Sequence, residues 1–215
     1  MPRTDPPRPP TLRDRKRART RAAIVTAGTE LFDRVGYDET TIADIAAGAD
    51  IGTRTFFDYF ASKEELLFPQ SDRRVEAAIA AIAARGPDDR PVDLLLRALA
   101  TGGPASDELL SPTAALRLRL MDTVPAVRGR SLQMQRAAQR EIAARLCAAY
   151  PDVDRASANA LVGAFIGAVG GVLDALLEDP ATGERDAEEL LARVRETVAG
   201  ALTNVEGRSG RPAHD

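Results

Sequence analysis

A chain of 215 residues with 44% hydrophobic and 28% charged residues is long enough for one small and one ordinary-sized globular domain. The single Cys147 excludes an internal disulfide, and one cysteine with one histidine supplies too few ligands for a zinc site. Residues 1–21 carry eight Lys or Arg and two Asp, a net charge of +6, whereas the rest carries 21 basic and 30 acidic side chains, a net −9. A basic end on an acidic body favours a nucleic-acid contact there; the alternative is a merely solvated tail.

The N-terminal segment has the composition of an unstructured arm. Five of the residues from Met1 to Pro10 are proline, so residues 1–11 are predicted to be a disordered basic arm. This segment lacks the apolar stretch of a secretion signal. The longest apolar run, residues 160–173, has 14 residues with four glycines among them, fewer than the roughly 20 that span a bilayer. We therefore expect a cytoplasmic protein.

Residues 12–61 are predicted to form a small helical domain. Its first helix runs from about Leu12 to Val35 with Gly36 as C-cap, and its inner stripe carries Ile24, Ala27, Leu31 and Val35. A hydroxyl of Thr40 or Thr41 caps the second helix, whose inner face carries Ile42, Ile45 and Ala46.

A tight turn at Gly48-Ala49-Asp50 leads into a third helix, predicted from Gly52 to Phe60. Phe56 and Phe60 face the core, while the first turn carries Thr53, Arg54 and Thr55. Two helices joined by a turn of three or four residues, the second led by small polar residues and arginine, are typical of a reader of the DNA major groove.

Beyond residue 61 the chain is predicted to contain only helices, because no stretch alternates as a strand does; the fold class is therefore all-α. Ser62 with Glu65 predicts a capping box for a fourth helix that continues to about Ala84, with a bend at Phe68-Pro69. The later helix starts are marked by proline or by capping residues: Pro91, Ser111-Pro112, Pro125, Asp154, and Asp186 with Glu189. This second domain is predicted to span residues 62–206, and residues 207–215 to be a disordered tail.

The penultimate predicted helix, from Asp154 to Glu178, has two distinct faces. One carries large apolar side chains: Val162, Phe165, Ile166, Val169, Leu173 and Leu176. The other carries Gly163, Gly167, Gly170, Gly171 and Asp174. Glycine inside a helix costs roughly 1 kcal/mol relative to alanine, so the close approach of another helix is expected in compensation. The approaching helix belongs to a second subunit. Alternatively, the glycines make room for a helix of the same chain or for a ligand.

Residues 12–67 resemble the N-terminal DNA-binding domain of the TetR family of bacterial transcriptional regulators. The similarity lies in a basic first helix ending LFDRVGYDETT, followed by IADIAAGADIGTRTFFDYFASKEEL, and its most specific part is TFFDYFASKE. Two positions depart from the family. Gly52 stands where the family often has a serine cap, and Phe57 where it often has a tyrosine that hydrogen-bonds a DNA phosphate.

The resemblance implies a regulator, most simply a repressor, that binds a palindromic operator in double-stranded DNA as a homodimer and is released by a small molecule. Arg54 is the expected base reader, because a guanidinium grips guanine bidentately, and Thr53 and Thr55 are expected to contact a thymine methyl or a phosphate. Backbone contacts are expected from Thr40, Thr41, Tyr59 and Lys63 and, with little sequence preference, from Arg13, Lys16 and Arg17. Phe57 is either a wall against the groove or a packing residue.

The resemblance also places an effector site among the helices of the second domain and a dimer interface on the last two helices. An adaptable apolar pocket is predicted from Phe68, Leu120, Met121, Met134 and Phe165. One of Arg117 and Arg119 meets an anionic group of an apolar or acyl-type effector, or both are solvated or salt-bridged. The predicted dimer contacts are Gly163, Gly167, Gly170 and Asp174.

The sequence does not favour catalysis. His214, the only histidine, lies next to the chain end, and no glycine-rich loop follows a strand. The E-x-x-H spacing of metal-binding helical bundles is absent, so neither a metal nor another cofactor is predicted. The alternatives to a ligand-responsive repressor are a DNA-binding regulator or architectural protein without an effector, and a transcriptional activator.

Overall fold

The computed structural model describes residues 11–69, 71–101, 111–179 and 187–209. Within these ranges the regular elements are helices and none is a strand, which confirms the all-α prediction. The helices are α1 (Leu12–Arg34), α2 (Ile42–Gly48), α3 (Thr53–Phe57), a 3₁₀ helix (Lys63–Leu67), α4 (Ser71–Ala83), α5 (Pro91–Thr101), α6 (Pro112–Thr123), α7 (Pro125–Ala149), α8 (Arg155–Glu178) and α9 (Ala187–Ser209).

The chain divides into two compact units, residues 1–69 and 70–215. The 3₁₀ helix therefore belongs to the N-terminal unit, whereas the sequence places the boundary after residue 61. Four predicted helix starts in the second unit agree with the structure. Pro91 is the first residue of α5. Pro112 and Pro125 occupy the first turns of α6 and α7, and the Asp154 carboxylate accepts hydrogen bonds from Ala156 N and Ser157 N at 2.7 and 3.0 Å. In the predicted capping box, Asp186 lies outside the described residues, whereas its partner Glu189 lies in the first turn of α9.

The N-terminal unit is built around an aromatic and aliphatic core. In α1 the buried residues are Ile24, Gly28 and Phe32, spaced four apart, rather than the predicted stripe through Ala27 and Leu31. Val35 is 49% exposed, because α1 ends at Arg34 and Val35 is its C-cap. Gly36 follows with a φ of 106°, the left-handed conformation expected of a glycine that terminates a helix. The rest of this core comprises Tyr37, Ile45, Ala46, Phe56, Phe60, Leu66 and Leu67.

The turn between α2 and α3 is a Schellman motif. Ile51 N donates to Ala46 O at 3.0 Å and Asp50 N to Ala47 O at 3.1 Å, so both bonds of the motif are present. Asp50 holds the left-handed position with a φ of 54°, where glycine is usual and aspartate is tolerated. This turn sets the angle at which α3 leaves α2.

The conformation of Asp50 predicts how its substitution changes stability. Asp50→Ala should lower the free energy of unfolding by about 1 kcal/mol, because alanine tolerates the left-handed region poorly. Asp50→Gly should keep it within about 0.5 kcal/mol of the wild type or raise it, since glycine adopts this conformation freely. Urea denaturation of both variants measures the difference. Equal stability of the alanine and wild-type proteins would contradict the assignment.

The predicted fourth helix is interrupted, which corrects the capping-box interpretation. Ser62 makes no side-chain capping bond, and Glu65 instead accepts a hydrogen bond from Ala61 N at 2.9 Å. The 3₁₀ helix ends at Leu67, and Phe68 has φ −129° and ψ 47°. A residue before proline avoids the α conformation, and Pro69 has no N–H to donate, so the helix breaks there and α4 starts at Ser71.

The second unit contains two adjoining core clusters. The first joins α4, α5, α7 and α8 around Ile82, Leu94, Leu95 and Leu146. The second joins α5, α8 and α9 around Leu173, Leu190, Val194 and Val198. Leu161 and Phe165 of α8 pack against both clusters. The large apolar face predicted for α8 is thus the one turned to the core of its own unit.

Candidate nucleic-acid interface

The first turn of α3 projects from the surface of the N-terminal unit. Phe56 is fully buried and fixes one side of the helix, while Thr53 and Arg54 are exposed and Thr55 is half-buried. Within the described part of the chain, Arg54 has no hydrogen bond or ion pair. Its five guanidinium N–H groups therefore face solvent and are available to an external acceptor.

Phe57 lies three residues after Arg54, on the same side of α3. Its side chain is 56% exposed, although large apolar side chains are ordinarily covered. The ring packs edge-on against Phe56, with centroids 5.5 Å apart and planes at 86°. This contact holds an exposed apolar surface beside Arg54, which favours the groove-wall interpretation over simple packing.

The two threonines before α2 have different environments. Thr40 is 2% exposed and its hydroxyl donates to Gly36 O at 2.6 Å. Its predicted contact with a phosphate is therefore wrong, because its hydroxyl closes the α1–α2 loop. Thr41 is exposed and is the N-cap of α2: its hydroxyl accepts from Asp44 N at 3.2 Å and donates to the Asp44 carboxylate at 2.6 Å. These bonds hold the pKa of Asp44 below its usual value.

Lys63 is engaged inside the N-terminal unit rather than projecting freely. Its ammonium donates to Tyr37 O at 2.6 Å and Thr40 O at 3.0 Å and lies 4.1 Å from the centroid of the Tyr37 ring. Two of its three N–H groups thus tie the 3₁₀ helix to the α1–α2 loop. Only the third N–H group of Lys63 is left for the expected contact with a phosphate.

A tyrosine–glutamate hydrogen bond beside Lys63 was missed by the sequence analysis. The Tyr37 hydroxyl donates to the Glu64 carboxylate. Burial and this bond raise the pKa of Tyr37. Burial also raises the pKa of Glu64, but hydrogen bonds with Ser62 and Tyr37 hold it below its usual value. The shallow depression next to this cluster has a volume of about 370 Å³ and is lined by Asp38, Thr40, Thr41, Ile42, Ala61, Ser62, Lys63 and Glu64.

The basic residues of α1 fall into two groups, those that are exposed and those that contact other residues of the N-terminal unit. Arg13 and Lys16 are exposed, as a contact with the DNA backbone requires. Arg17 is directed towards α3: its guanidinium donates to Asp58 O at 3.5 Å and lies 5.0 Å from the centroid of the half-buried Tyr59 ring. Arg21, which was not singled out from the sequence, donates to Tyr59 O at 3.3 Å and Pro69 O at 3.4 Å.

The residues predicted to line an effector pocket are spread over several elements. Phe68 is 7% exposed and belongs to the N-terminal unit. Its contribution to an effector pocket stays a prediction. Arg117 of α6 is 8% exposed, whereas Arg119 on the same helix is exposed. The other predicted lining residues are half-buried: Leu120, Met121, Met134 and Phe165.

The glycines of α8 do not all share one environment. A Cβ at Gly163 would lie 2.9 Å from Gln139 Nε2, and that amide donates to Asn159 O at 2.8 Å. Gly163 therefore admits α7 of the same chain, which corrects its assignment to the dimer interface. A Cβ at Gly167, Gly170 or Gly171 would meet nothing within 4 Å. Asp174 is exposed on the same side. Partial desolvation of its carboxyl, together with the nearby charges of Glu178 and Asp122, raises its pKa.

The open side of α8 is unusually apolar for a solvent-exposed surface. By length and composition, α8 is the one helix in the described ranges apolar enough to cross a membrane, and 17% of its most apolar window is buried. The sequence predicts no membrane span, because the uninterrupted apolar run is short. A single such helix is weak evidence for a span, since the helices of globular proteins also pass this test.

Comparison with known proteins places the N-terminal unit in a family. The family model for bacterial regulatory proteins of the tetR family matches residues 24–68. The HTH-type transcriptional regulator TcmR of Streptomyces glaucescens is 34% identical over 148 residues, 65% of this chain and 66% of that protein. The HTH-type transcriptional regulator HbdR of Aromatoleum sp. (strain CIB) is 42% identical over 48 residues, 22% of this chain and 21% of that protein.

The matched segments span just under two thirds and about a fifth of these two relatives. Among solved structures, Thermus thermophilus FadR in complex with lauroyl-CoA has a TM-score of 0.53 and 20% identity, over 91% of this chain and 98% of that one. This likeness shows a shared fold. The two sequence relatives are transcriptional regulators, which agrees with the prediction that this chain is no enzyme. The chain belongs to the TetR family of bacterial transcriptional regulators.

Proposed function

We propose that this protein is a ligand-responsive repressor that binds a palindromic DNA operator as a homodimer in the cytoplasm. The observation that carries the proposal is the exposed, unpaired Arg54 on a short helix that is anchored in the core by Phe56. Such a helix enters the major groove and directs the side chains of its first turn to base edges. Arg54 reads guanine, and Thr53 and Thr55 contact neighbouring bases or phosphates.

The surface around α3 supports an electrostatic contact with the DNA backbone. Arg13 and Lys16 are exposed on α1, within the segment of net charge +6. Each phosphate neutralised by such a side chain releases counterions, so binding is expected to weaken steeply with salt. Thr41 and Tyr59, with the remaining N–H of Lys63, flank α3 and hold the backbone on either side of the groove.

The open side of α8 supports a dimer through the last two helices. Its small residues, Gly167, Gly170 and Gly171, leave room for the backbone of another helix to approach closely. Apolar surface of this extent favours a protein partner, and Asp174 and Glu178 on the exposed side of α8 make lipid an unfavourable neighbour. A two-fold symmetric dimer formed here carries two copies of α3, the number that a palindromic operator requires.

A buried arginine supports an effector with an anionic group. Arg117 is 8% exposed and must be paired within the second unit, since an unpaired buried charge is costly. A carboxylate or phosphate of a ligand is able to take over that pairing, while Leu120, Met121, Met134 and Phe165 contact its apolar part. Lauroyl-CoA, bound to Thermus thermophilus FadR, is an acyl compound of this kind. That structure shares the fold alone, so the effector class proposed here rests on the buried Arg117.

Two experiments test the proposal. Selection of bound sites from random DNA by the full chain should return a motif with two-fold symmetry; an asymmetric motif or no enrichment contradicts it.

Thermal-shift measurements with laurate and with dodecanol then test the effector, and laurate alone should raise Tm and release the selected operator. A protein that binds the palindrome but responds to neither compound is a regulator without an acyl effector. Increased transcription from the bound promoter would identify an activator.

A further inference from the structure

The C-terminal end of α3 needs partners from outside the helix. α3 has five residues, and helices shorter than about 12 residues are marginal in isolation, so their position is set by tertiary contacts. The last carbonyl groups of a helix have no intrahelical donor. α3 ends at Phe57, and the carbonyls of Asp58 and Tyr59 lie just beyond this end, a few residues after those proposed to read DNA.

Arg21 of α1 supplies one such contact beside the end of α3 and makes a second beyond the 3₁₀ helix. Its guanidinium donates through Nη1 to Tyr59 O at 3.3 Å and through Nη2 to Pro69 O at 3.4 Å. The guanidinium carbon also lies 4.2 Å from the centroid of the Phe60 ring, within the range of a cation–π contact. Arg21 thus links the C-terminal end of α3 to Pro69, which follows the 3₁₀ helix.

Arg17 makes a parallel contact one helical turn earlier. It donates to Asp58 O at 3.5 Å and stacks on the Tyr59 ring. Arg17 and Arg21 lie four residues apart and therefore on one face of α1. Arg21 lies three residues before Ile24, so this face of α1 leads into the buried stripe through Ile24 and Gly28. Two arginines occupy the start of this inner stripe, where it meets the carbonyl end of α3.

We propose that Arg21, assisted by Arg17, is a positioning residue for DNA reading: it orients α3 and contacts no phosphate. This inference rests on the proposed function. A bidentate contact between Arg54 and a base requires hydrogen bonds near 2.9 Å with nearly linear geometry, so a small rotation of α3 weakens it. Contacts with phosphates made from α1 are insensitive to that rotation. Loss of Arg21 therefore lowers sequence specificity more than it lowers affinity for DNA in general.

The test compares Arg21→Met with Arg19→Met, which removes an equal charge from an exposed position on the same helix. Dissociation constants are measured for the selected operator and for an unrelated duplex over a range of salt concentrations. Arg21→Met should reduce the ratio of operator to unrelated affinity about tenfold, the effect of losing hydrogen bonds to a charged group. Its salt dependence should match that of Arg19→Met. Arg19→Met itself should keep the wild-type ratio.

Two outcomes overturn the proposal. If Arg21 instead neutralises a DNA phosphate, Arg21→Met would flatten the log–log salt slope by roughly 0.9 for each such phosphate, with an unchanged specificity ratio. An unchanged ratio and slope would show that Arg21 has no role in reading. If Arg21→Met does not fold, Arg21→Lys retains the charge but only one donor direction, and should give a ratio below that of the wild type with an unchanged salt slope; a wild-type ratio for Arg21→Lys would then contradict the proposal. If the wild-type protein binds the operator and the unrelated duplex with equal affinity, the proposed function itself is wrong.

Discussion

Arg54→Ala is expected to remove most of the preference of the protein for its operator while leaving its weak affinity for other DNA intact. Each bidentate contact with guanine contributes roughly 1–3 kcal/mol of discrimination, and a dimer makes it twice. Operator affinity should therefore fall by at least about 30-fold, the equivalent of roughly 2 kcal/mol. The folded state should be unaffected, because Arg54 is exposed and unpaired within the described part of the chain.

Fluorescence anisotropy with the selected operator and an unrelated duplex measures this change. Arg145→Ala, at an exposed position of α7 in the other unit, is the matched control and should bind both duplexes as the wild type does. An equal loss of affinity for both duplexes in Arg54→Ala would show that Arg54 contacts phosphate only.

Gly171→Leu is expected to separate folding of the subunit from assembly of the dimer. A side chain at Gly171 meets nothing within 4 Å in the subunit, and replacing a helical glycine improves helix propensity by up to about 1 kcal/mol. The subunit should therefore fold at least as stably as the wild type. If a second subunit packs closely at this point, the added side chain keeps the two helices apart. Linked recognition sites typically gain 10²- to 10⁴-fold in affinity, so operator binding should fall by at least about 100-fold.

Sedimentation equilibrium and circular dichroism measure the two effects separately. Ala144→Leu, which adds a similar side chain at an exposed position of α7, should remain dimeric. A dimeric Gly171→Leu protein with normal operator affinity would place the subunit interface elsewhere. Gly163→Leu provides a contrast, because its side chain should displace the Gln139 amide and break the hydrogen bond of that amide with Asn159 O.

The sequence predicted the helices more accurately than the environments of individual polar side chains. Proline and capping residues mark helix starts through local backbone chemistry, so Pro112, Pro125 and Asp154 were identified directly. The interruption after the 3₁₀ helix was signalled by Pro69, but the capping-box pattern at Ser62 obscured it. A local pattern does not show which of two competing local signals the tertiary structure will favour.

Thr40 and Lys63 show why the candidate site was predicted only in part. Both residue types are common phosphate contacts, yet the Thr40 hydroxyl bonds Gly36 O and the Lys63 ammonium bonds two loop carbonyls. The acceptors of Lys63 come within reach only when the α1–α2 loop folds against the 3₁₀ helix, a contact between residues 23 to 26 positions apart. The Thr40 bond spans four residues inside the loop and depends on the conformation of that loop. Arg21, by contrast, was predictable, because it lies three residues before Ile24 and therefore on the same face of α1 as the buried residues.

The central claim is that two copies of α3 read DNA at a spacing set by two-fold symmetry, and the most direct measurement changes that spacing. Insertion of five base pairs between the half-sites of the selected operator rotates one half-site by about half a turn of the duplex relative to the other. The account predicts that the affinity for this DNA falls to that for a single half-site. Unchanged affinity for the lengthened operator would contradict it.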